Sequence, residues 1–153
     1  MLGVDQITKA AVVARMEWGE SVEVLGSLLK FTLVSNPGAA FGLGSGTTLV
    51  FSVFAVLVAV GLLVFGLPRM TQTWHAVALG LMLGGITGNL YDRITQPPSF
   101  MRGHVVDFFQ LPYFAIFNVA DICITSAAAL IILMSFRGDR AERAAAASAA
   151  EAA

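Results

Sequence analysis

The sequence predicts an all-α membrane protein: a four-transmembrane-helix bundle, its first helix truncated, with a small extracytoplasmic β-platform. Of the 153 residues, 57% are hydrophobic and only 12% are charged, and the mean hydropathy is +0.79. Soluble domains contain about 45–50% apolar and about 25% charged residues. Three long apolar segments predict the helices, and a pattern typical of short strands predicts the β-platform. The composition also excludes intrinsic disorder.

Three apolar segments have the length of membrane spans, which is about 20 residues for a hydrocarbon core of about 30 Å. They cover residues 47–67, 74–90 and 112–136, and the last is apolar except for Asn118 and Asp121. Residues 1–17 are predicted to be helical but are too short to span. We expect them to form the exit half of a first, incomplete transmembrane helix, since they lack the features of a signal peptide.

Basic residues predict the orientation, because short loops rich in Lys and Arg face the cytoplasm. Arg69 lies in the short link between two spans, and Arg137 follows the last one. Both should be cytoplasmic. Residues 1–136 then form the membrane domain, and the Ala-rich tail of residues 137–153 is expected to be a disordered cytoplasmic segment.

The two larger connections, residues 18–46 and 93–111, should lie on the outer side. Within the first, residues 22–25 and 28–34 read as two strands around a two-residue turn. Residues 104–109 also have strand character. A hairpin of this kind can form a platform at the outer membrane interface.

Glycines recur every four residues from Gly80 through Gly88. Such a stripe lets another helix approach closely, and packing within the bundle is favoured over dimerisation. A second stripe runs from Gly85 through Asn89 to Arg93 and becomes polar towards its outer end. This face is predicted to line something polar.

Two acidic residues lie where a charge is costly. An Asp at the centre of a spanning helix costs roughly 2.5 to 3.5 kcal/mol to insert. With a helix beginning near Pro112, Asp121 should lie about 13 Å along it, on one face with Asn118. Asp107 is flanked by valine and phenylalanine, which argues against a solvated loop residue. Arg93 is the nearest expected cation.

Asp107 and Asp121 both map to the outer end of the bundle, where they could face each other. Two neighbouring carboxylates cannot both ionise cheaply, so one keeps a proton and the pair titrates as a unit. One member can activate a water while the other protonates a carbonyl. This chemistry, that of aspartic proteases, needs no cofactor or metal. The alternative is a structural Asp121, hydrogen-bonded to the backbone or to Asn118.

Five sequence blocks, in order, resemble those of the lipoprotein signal peptidases (signal peptidase II), bacterial membrane aspartic proteases. Each block alone is a weak signal, but five in order in a chain of this size and hydropathy are specific. The blocks are DQITK, NPGAAFG, GGITGNLYDR, VVDF and FNVAD, at residues 5–9, 36–42, 84–93, 105–108 and 117–121.

The resemblance implies removal of signal peptides from diacylglyceryl-modified prolipoproteins, by cleavage before the lipidated cysteine. It implies a bacterial cytoplasmic membrane location, with the active site near the extracytoplasmic face. Lipidated prolipoproteins and membrane lipids are the expected partners, globomycin is the expected inhibitor, and no cofactor is expected. The implied catalytic pair is Asp107 and Asp121, and the implied substrate-binding residues are Asp5, Asn36, Asn89, Arg93 and Asn118.

A small membrane transporter is the main alternative, because intramembrane carboxylates are also typical of transporters. Transport sites tend to lie near the bilayer midplane and within internal repeats. Here the polar residues gather at one end and no repeat is visible. A non-catalytic scaffold subunit would leave Asp107 and Asp121 unexplained. A net charge of −1 without a basic patch excludes nucleic acid as a partner.

Overall fold

A computed structural model describes residues 1–38 and 48–151, with side chains described as far as residue 137. Residues 39–42, most of the NPGAAFG block, lie outside the described residues. The elements are α1 (Leu2–Val13), β1 (Ser21–Leu25), β2 (Leu29–Asn36), α2 (Thr48–Gly61), α3 (Thr73–Thr95), β3 (Val105–Gln110) and α4 (Val119–Glu151). The assigned α4 continues through the segment where the sequence predicts a tail. The disorder of that tail stays a prediction.

Helix α3 lies at the centre and packs against α1, α2 and α4. Its glycines allow this close approach. A Cβ added at Gly85 would collide with the carbonyl oxygen of Ala120 in α4, and one at Gly88 would lie 2.7 Å from the carboxylate of Asp5 in α1. A Cβ at Gly80 would meet nothing within 4 Å. The stripe from Gly80 to Gly88 therefore serves contacts within the chain at its Gly88 end.

Two described helices are long and apolar enough to cross a membrane: Thr48–Arg69, which is α2 with a π-helical and a 3₁₀ turn, and Val119–Arg137 of α4. Only 11% and 17% of their most apolar windows are buried within the fold. Their large apolar side chains instead form an exposed surface, which is typical of contact with lipid. The described residues support two such spans, and the count of four is not confirmed.

The three strands form one antiparallel sheet in the order β1-β2-β3. Gly26 in the hairpin turn has a φ of +53°, a left-handed conformation that glycine adopts without strain. The predicted hairpin and the predicted strand at residues 104–109 are therefore present. In the pairing of β2 with β3, Asn36 lies opposite Val105 and Val34 opposite Asp107.

The last helix begins later than the sequence predicts. Residues 112–117 form a loop in which Tyr113 has a φ of +60°, a value incompatible with a helix. Phe117 then pairs with Phe109 of β3, with backbone hydrogen bonds of 2.8 and 3.0 Å. This pairing holds the chain extended up to Asn118. Asp121 consequently lies in the first turn of α4, and not about 13 Å along a helix.

Replacing Gly85 with Ala should destabilise the fold, because the added methyl group overlaps the backbone of α4. We expect the free energy of unfolding to fall by about 1–3 kcal/mol, as for other overpacked cores. Gly80→Ala is the matched control on the same helix, since its Cβ points into open space. Thermal unfolding of both variants in detergent checks this. Equal midpoints for the two variants would contradict the close packing of α3 against α4.

Candidate active site

Asp107 lies in the middle of β3 and is only 1% exposed. Its Oδ2 accepts a hydrogen bond of 2.7 Å from the amide of Asn36 at the end of β2. Its Oδ1 accepts one of 2.6 Å from the side-chain amide of Asn118. Both carboxyl oxygens are therefore held by asparagine amides.

Asp121 is half-buried in the first turn of α4. Its Oδ1 accepts a hydrogen bond of 2.8 Å from the amide of Asn89, and its Oδ2 one of 3.0 Å from the backbone N–H of Asn118. The Asp121 N–H in turn donates to Oδ1 of Asn118 at 3.1 Å. This reciprocal pattern is a capping box, which fixes where α4 begins. The hydrogen bond expected for a structural Asp121 is thus present as well.

Asn118 joins the two carboxylates. Its side chain donates to Asp107 and its backbone donates to Asp121, and it is fully buried. The structure therefore brings the two predicted catalytic residues into one hydrogen-bonded cluster, together with the predicted residues Asn36 and Asn89. The structural alternative explains the contact between Asn118 and Asp121 but not the approach of Asp107.

The electrostatics of the pair are asymmetric. Burial raises the pKa of the Asp107 carboxyl from its ordinary value of 3.8 to about 7, and the charge of Asp121 adds to the rise. The hydrogen bonds from Asn36 and Asn118 oppose this shift. Near neutral pH, Asp107 is therefore poised to hold a proton, while the half-buried Asp121 is more accessible to water.

A second cluster of charges lies beside the pair. Lys9 of α1 is 3% exposed, and its ammonium group lies 2.9 Å from Asp5 and 2.8 Å from Asp92, both of them buried. Gln6 donates to the same two carboxylates. Asp5 is a predicted site residue, whereas Lys9 and Asp92 are not among the predicted site residues. A search for the cation that compensates each buried carboxylate would have found them.

Asp5 and Arg93 differ from expectation in their contacts. Asp5 binds Lys9, Gln6 and the backbone N–H of Ala120, so both of its carboxylate oxygens accept hydrogen bonds within the protein. Arg93 donates to the backbone carbonyl of Asn89 at 3.2 Å. Over residues 1–38 and 48–137, it forms no ion pair, so the expected pairing of Arg93 with Asp121 is not found there.

Arg93 instead faces an apolar cavity of about 360 Å³ between α2, α3 and α4. Its Nε is buried and has no hydrogen-bond partner among the described residues. Phe51, Ile86 and Asn89 also line the cavity. A cation with unused donor capacity thus lies beside the Asn89–Asp121 contact. Among the side chains that the structure describes, no group of three or more His, Cys, Asp or Glu residues is arranged to hold a metal ion.

Comparison with known proteins gives consistent results. The family model described as signal peptidase (SPase) II matches residues 1–137. A lipoprotein signal peptidase of Leifsonia xyli subsp. xyli is 48% identical over 135 residues, which cover 88% of this chain and 62% of that protein. One of Mycolicibacterium smegmatis is 41% identical over 138 residues, which cover 90% of this chain and 58% of that protein. The chain thus spans about three fifths of the length of these two relatives.

A solved structure described as a bacterial membrane enzyme, determined by the in meso method at 2.3 Å resolution, has a similar fold. The TM-score is 0.77 at 32% sequence identity, and the match covers 89% of this chain and 82% of the other. A second structure with the same description, at 1.9 Å resolution, gives a TM-score of 0.75. The membrane-enzyme fold therefore extends over most of the chain.

Lys9→Met should destabilise the protein strongly, because it leaves Asp5 and Asp92 buried and facing each other without their cation. Breaking a buried pair by removing one partner costs about 3–5 kcal/mol. Lys30→Met is the matched control, since Lys30 on the central strand β2 forms a partly exposed ion pair with Glu23 on β1 and its loss should cost at most about 1 kcal/mol. Thermal or denaturant unfolding in detergent measures both. Similar losses for the two variants would contradict a buried charge cluster.

Proposed function

The chain belongs to the signal peptidase II family, and from this premise we propose that it is an aspartic endopeptidase. Its substrates are diacylglyceryl-modified prolipoproteins, from which it removes the signal peptide by cleavage before the lipidated cysteine. One observation carries the proposal: Asn118 joins the two carboxyl groups, since its side-chain amide donates to Asp107 and its backbone N–H donates to Asp121. Neither carboxylate is neutralised by an ion pair within residues 1–38 and 48–137.

The asymmetry of the pair assigns the two roles. Asp107, whose buried carboxyl group retains a proton near neutral pH, donates a hydrogen bond to the carbonyl oxygen of the scissile peptide bond. Asp121, which is half-exposed, acts as the base and takes a proton from a water molecule as the water oxygen bonds to the carbonyl carbon. The proton on Asp107 moves to the carbonyl oxygen, giving a tetrahedral diol.

Collapse of this intermediate completes the hydrolysis. The carbon–nitrogen bond breaks, Asp121 gives its proton to the departing amine, and one hydroxyl proton of the diol returns to Asp107. The signal peptide leaves with a new carboxyl group, and the lipidated cysteine gains a free amino group. Both aspartates are then in their starting states, so the cycle needs no group from outside the chain.

The three asparagines of the site hold the catalytic carboxylates in place. Asn36, Asn89 and Asn118 donate their amide protons to Asp107 and Asp121. Each carboxylate oxygen has two lone-pair positions, and one of these is taken by an amide or backbone donor. The second position stays directed at the substrate. We therefore assign these asparagines a positioning role, and contact with the substrate falls chiefly to Arg93.

The placement in the membrane follows from the ends of the helices. We propose that α1 to α4 form a bundle in the bacterial cytoplasmic membrane, with the sheet at the extracytoplasmic face. Asp121 lies at the start of α4, whereas Arg137 ends the apolar part of that helix and Arg69 lies in the link between α2 and α3. Since basic residues favour the cytoplasmic side, the catalytic pair lies at the outer end.

The substrate reaches this end laterally through the bilayer. The apolar cavity beside Arg93 lies between helices and next to the Asn89–Asp121 contact. We propose that it receives apolar parts of the prolipoprotein, while the guanidinium group of Arg93 binds carbonyl oxygens of its lipid-modified end. Globomycin, as an inhibitor of this family, is expected to compete for the same cavity.

Asp107→Asn and Asp121→Asn should each abolish cleavage, because asparagine can neither donate the acid proton nor accept one from water. We expect turnover to fall by at least about 1,000-fold. Glu23→Gln, at the exposed edge of the sheet, is the matched control and should keep wild-type turnover. The measurement is cleavage of a purified lipidated prolipoprotein, with folding of each variant checked by its melting curve. Wild-type turnover by either Asp variant would refute the catalytic pair.

The rate should depend on the protonation of Asp107. Because the pKa of this carboxyl is raised to about 7, the protein holds the required proton below that pH and loses it above. We expect kcat/KM to fall as the pH rises through about 7. Initial rates across the pH range, at constant ionic strength, test this. A flat profile between about pH 6 and about pH 9 would contradict Asp107 as the acid.

A further inference from the structure

Two buried carboxylates bind the backbone immediately before each catalytic aspartate. Asp5 Oδ1 accepts a hydrogen bond of 2.9 Å from the N–H of Ala120, the residue before Asp121. Asp92 Oδ2 accepts one of 3.1 Å from the N–H of Val106, the residue before Asp107. The N–H of Ala120 lies in the first turn of α4 and has no partner within the helix, so Asp5 satisfies an otherwise free donor.

Lys9 lies between these two carboxylates. An ammonium group has three protons and no acceptor capacity. Two protons serve Asp5 and Asp92, at 2.9 and 2.8 Å. The third contact, of 3.1 Å, is with Oδ1 of Asn89. All three donors of Lys9 are therefore used, and each is used on a residue that in turn contacts the catalytic pair or the chain beside it.

The contact with Lys9 fixes the orientation of the Asn89 amide. Oδ1 of Asn89 accepts from Lys9 and from Nδ2 of Asn118, at 3.1 and 3.0 Å. A flipped amide would place its NH₂ group against two donors, which the hydrogen-bond network excludes. The NH₂ group of Asn89 is thus directed at Asp121, 2.8 Å from Oδ1.

We propose that Lys9 is a positioning residue for the catalytic pair: it holds the amide of Asn89 against Asp121, and it holds Asp5 and Asp92 against the backbone before each catalytic aspartate. This inference rests on the proposed function for its catalytic consequence. Its geometric part does not, because a hydrogen bond donated to a carboxylate favours the ionised form whatever reaction follows.

The test compares Asp5→Asn with a double variant that keeps the net charge of the wild type, since Lys9→Met alone is destabilised. Asp5→Asn keeps Lys9 and an oxygen for the Ala120 N–H. The double variant Lys9→Met/Asp5→Asn also removes the ammonium group and leaves Asp92 with its donors from Gln6 and Val106. The other charged groups around the contact, Arg93 and the catalytic pair, are the same in both. Lys30→Met, which removes a partly exposed ion pair on the sheet, is the control for basal activity.

Two quantities are measured on the full-length protein in detergent. The first is the titration of the catalytic pair, followed by NMR of ¹³C-labelled aspartate carboxyl groups and assigned with Asp121→Asn. The second is the pH profile of prolipoprotein cleavage. We expect the double variant to titrate about 1 pH unit higher than Asp5→Asn, with kcat reduced about tenfold or more. In an Asn89→Ala background, the difference between the two variants should shrink to the direct effect of the Lys9 charge on Asp107.

Each outcome separates the positioning role from the alternatives. Equal titrations of Asp5→Asn and the double variant would overturn the proposal, as would a difference of the same size without Asn89. Should the double variant not fold, Asn89→Ala alone must still shift the titration, and an unshifted curve refutes the role of the amide. If the wild-type protein does not cleave prolipoprotein but the two variants still differ in titration as expected, the proposed function is refuted and the positioning role of Lys9 is retained.

Discussion

The arrangement of this protein depends on one ammonium group buried between two carboxylates. Lys9 of α1 pairs with Asp5 on its own helix and with Asp92 on α3. The two carboxylates also bind the backbone at the start of α4 and at the start of β3. The elements α1, α3, β3 and α4 thus meet around one cation and its two carboxylates. A buried ion pair of this kind adds little net stability, because desolvation offsets its attraction. It specifies which elements meet and in what register.

Compared with a soluble protein, this fold buries many polar side chains and exposes many large apolar ones. Several of the largest fully buried side chains are polar, among them Asp5, Asp92, Asp107 and Asn118, while the apolar side chains of α2 and α4 form much of the exposed surface. Hydrogen bonds in such an interior face little competition from water and are correspondingly strong. The same low polarity raises the pKa of Asp107. The surroundings that hold the proposed catalytic pair therefore also favour a proton on Asp107, the member assigned as the acid.

Much of this could be predicted from the sequence. The uncharged run of α2 predicted a membrane span, and the strand-like residues on both sides of Gly26 predicted the hairpin. The predicted start of α4 was wrong because hydropathy alone cannot distinguish an apolar loop from a helix. Phe117 has the same hydropathy in a loop as in a helix, and only its pairing with Phe109 of β3 shows that the chain is extended there. The contact of Lys9 with Asp92 was also missed, since only the packing of α1 against α3 brings these two residues together.

The spacing of Asp5 and Lys9 bears on how such a chain is made. The two residues are four apart on α1, so the ammonium and the carboxylate neutralise each other on a single helix before any other helix has arrived. A helix that carries its own counterion can leave the translocon at a lower cost than one with a lone charge. Asp92 has no partner of this kind four residues away on α3, and its cation comes from α1. Because α1 precedes α3 along the chain, the lysine that neutralises Asp92 has already been synthesised when α3 emerges.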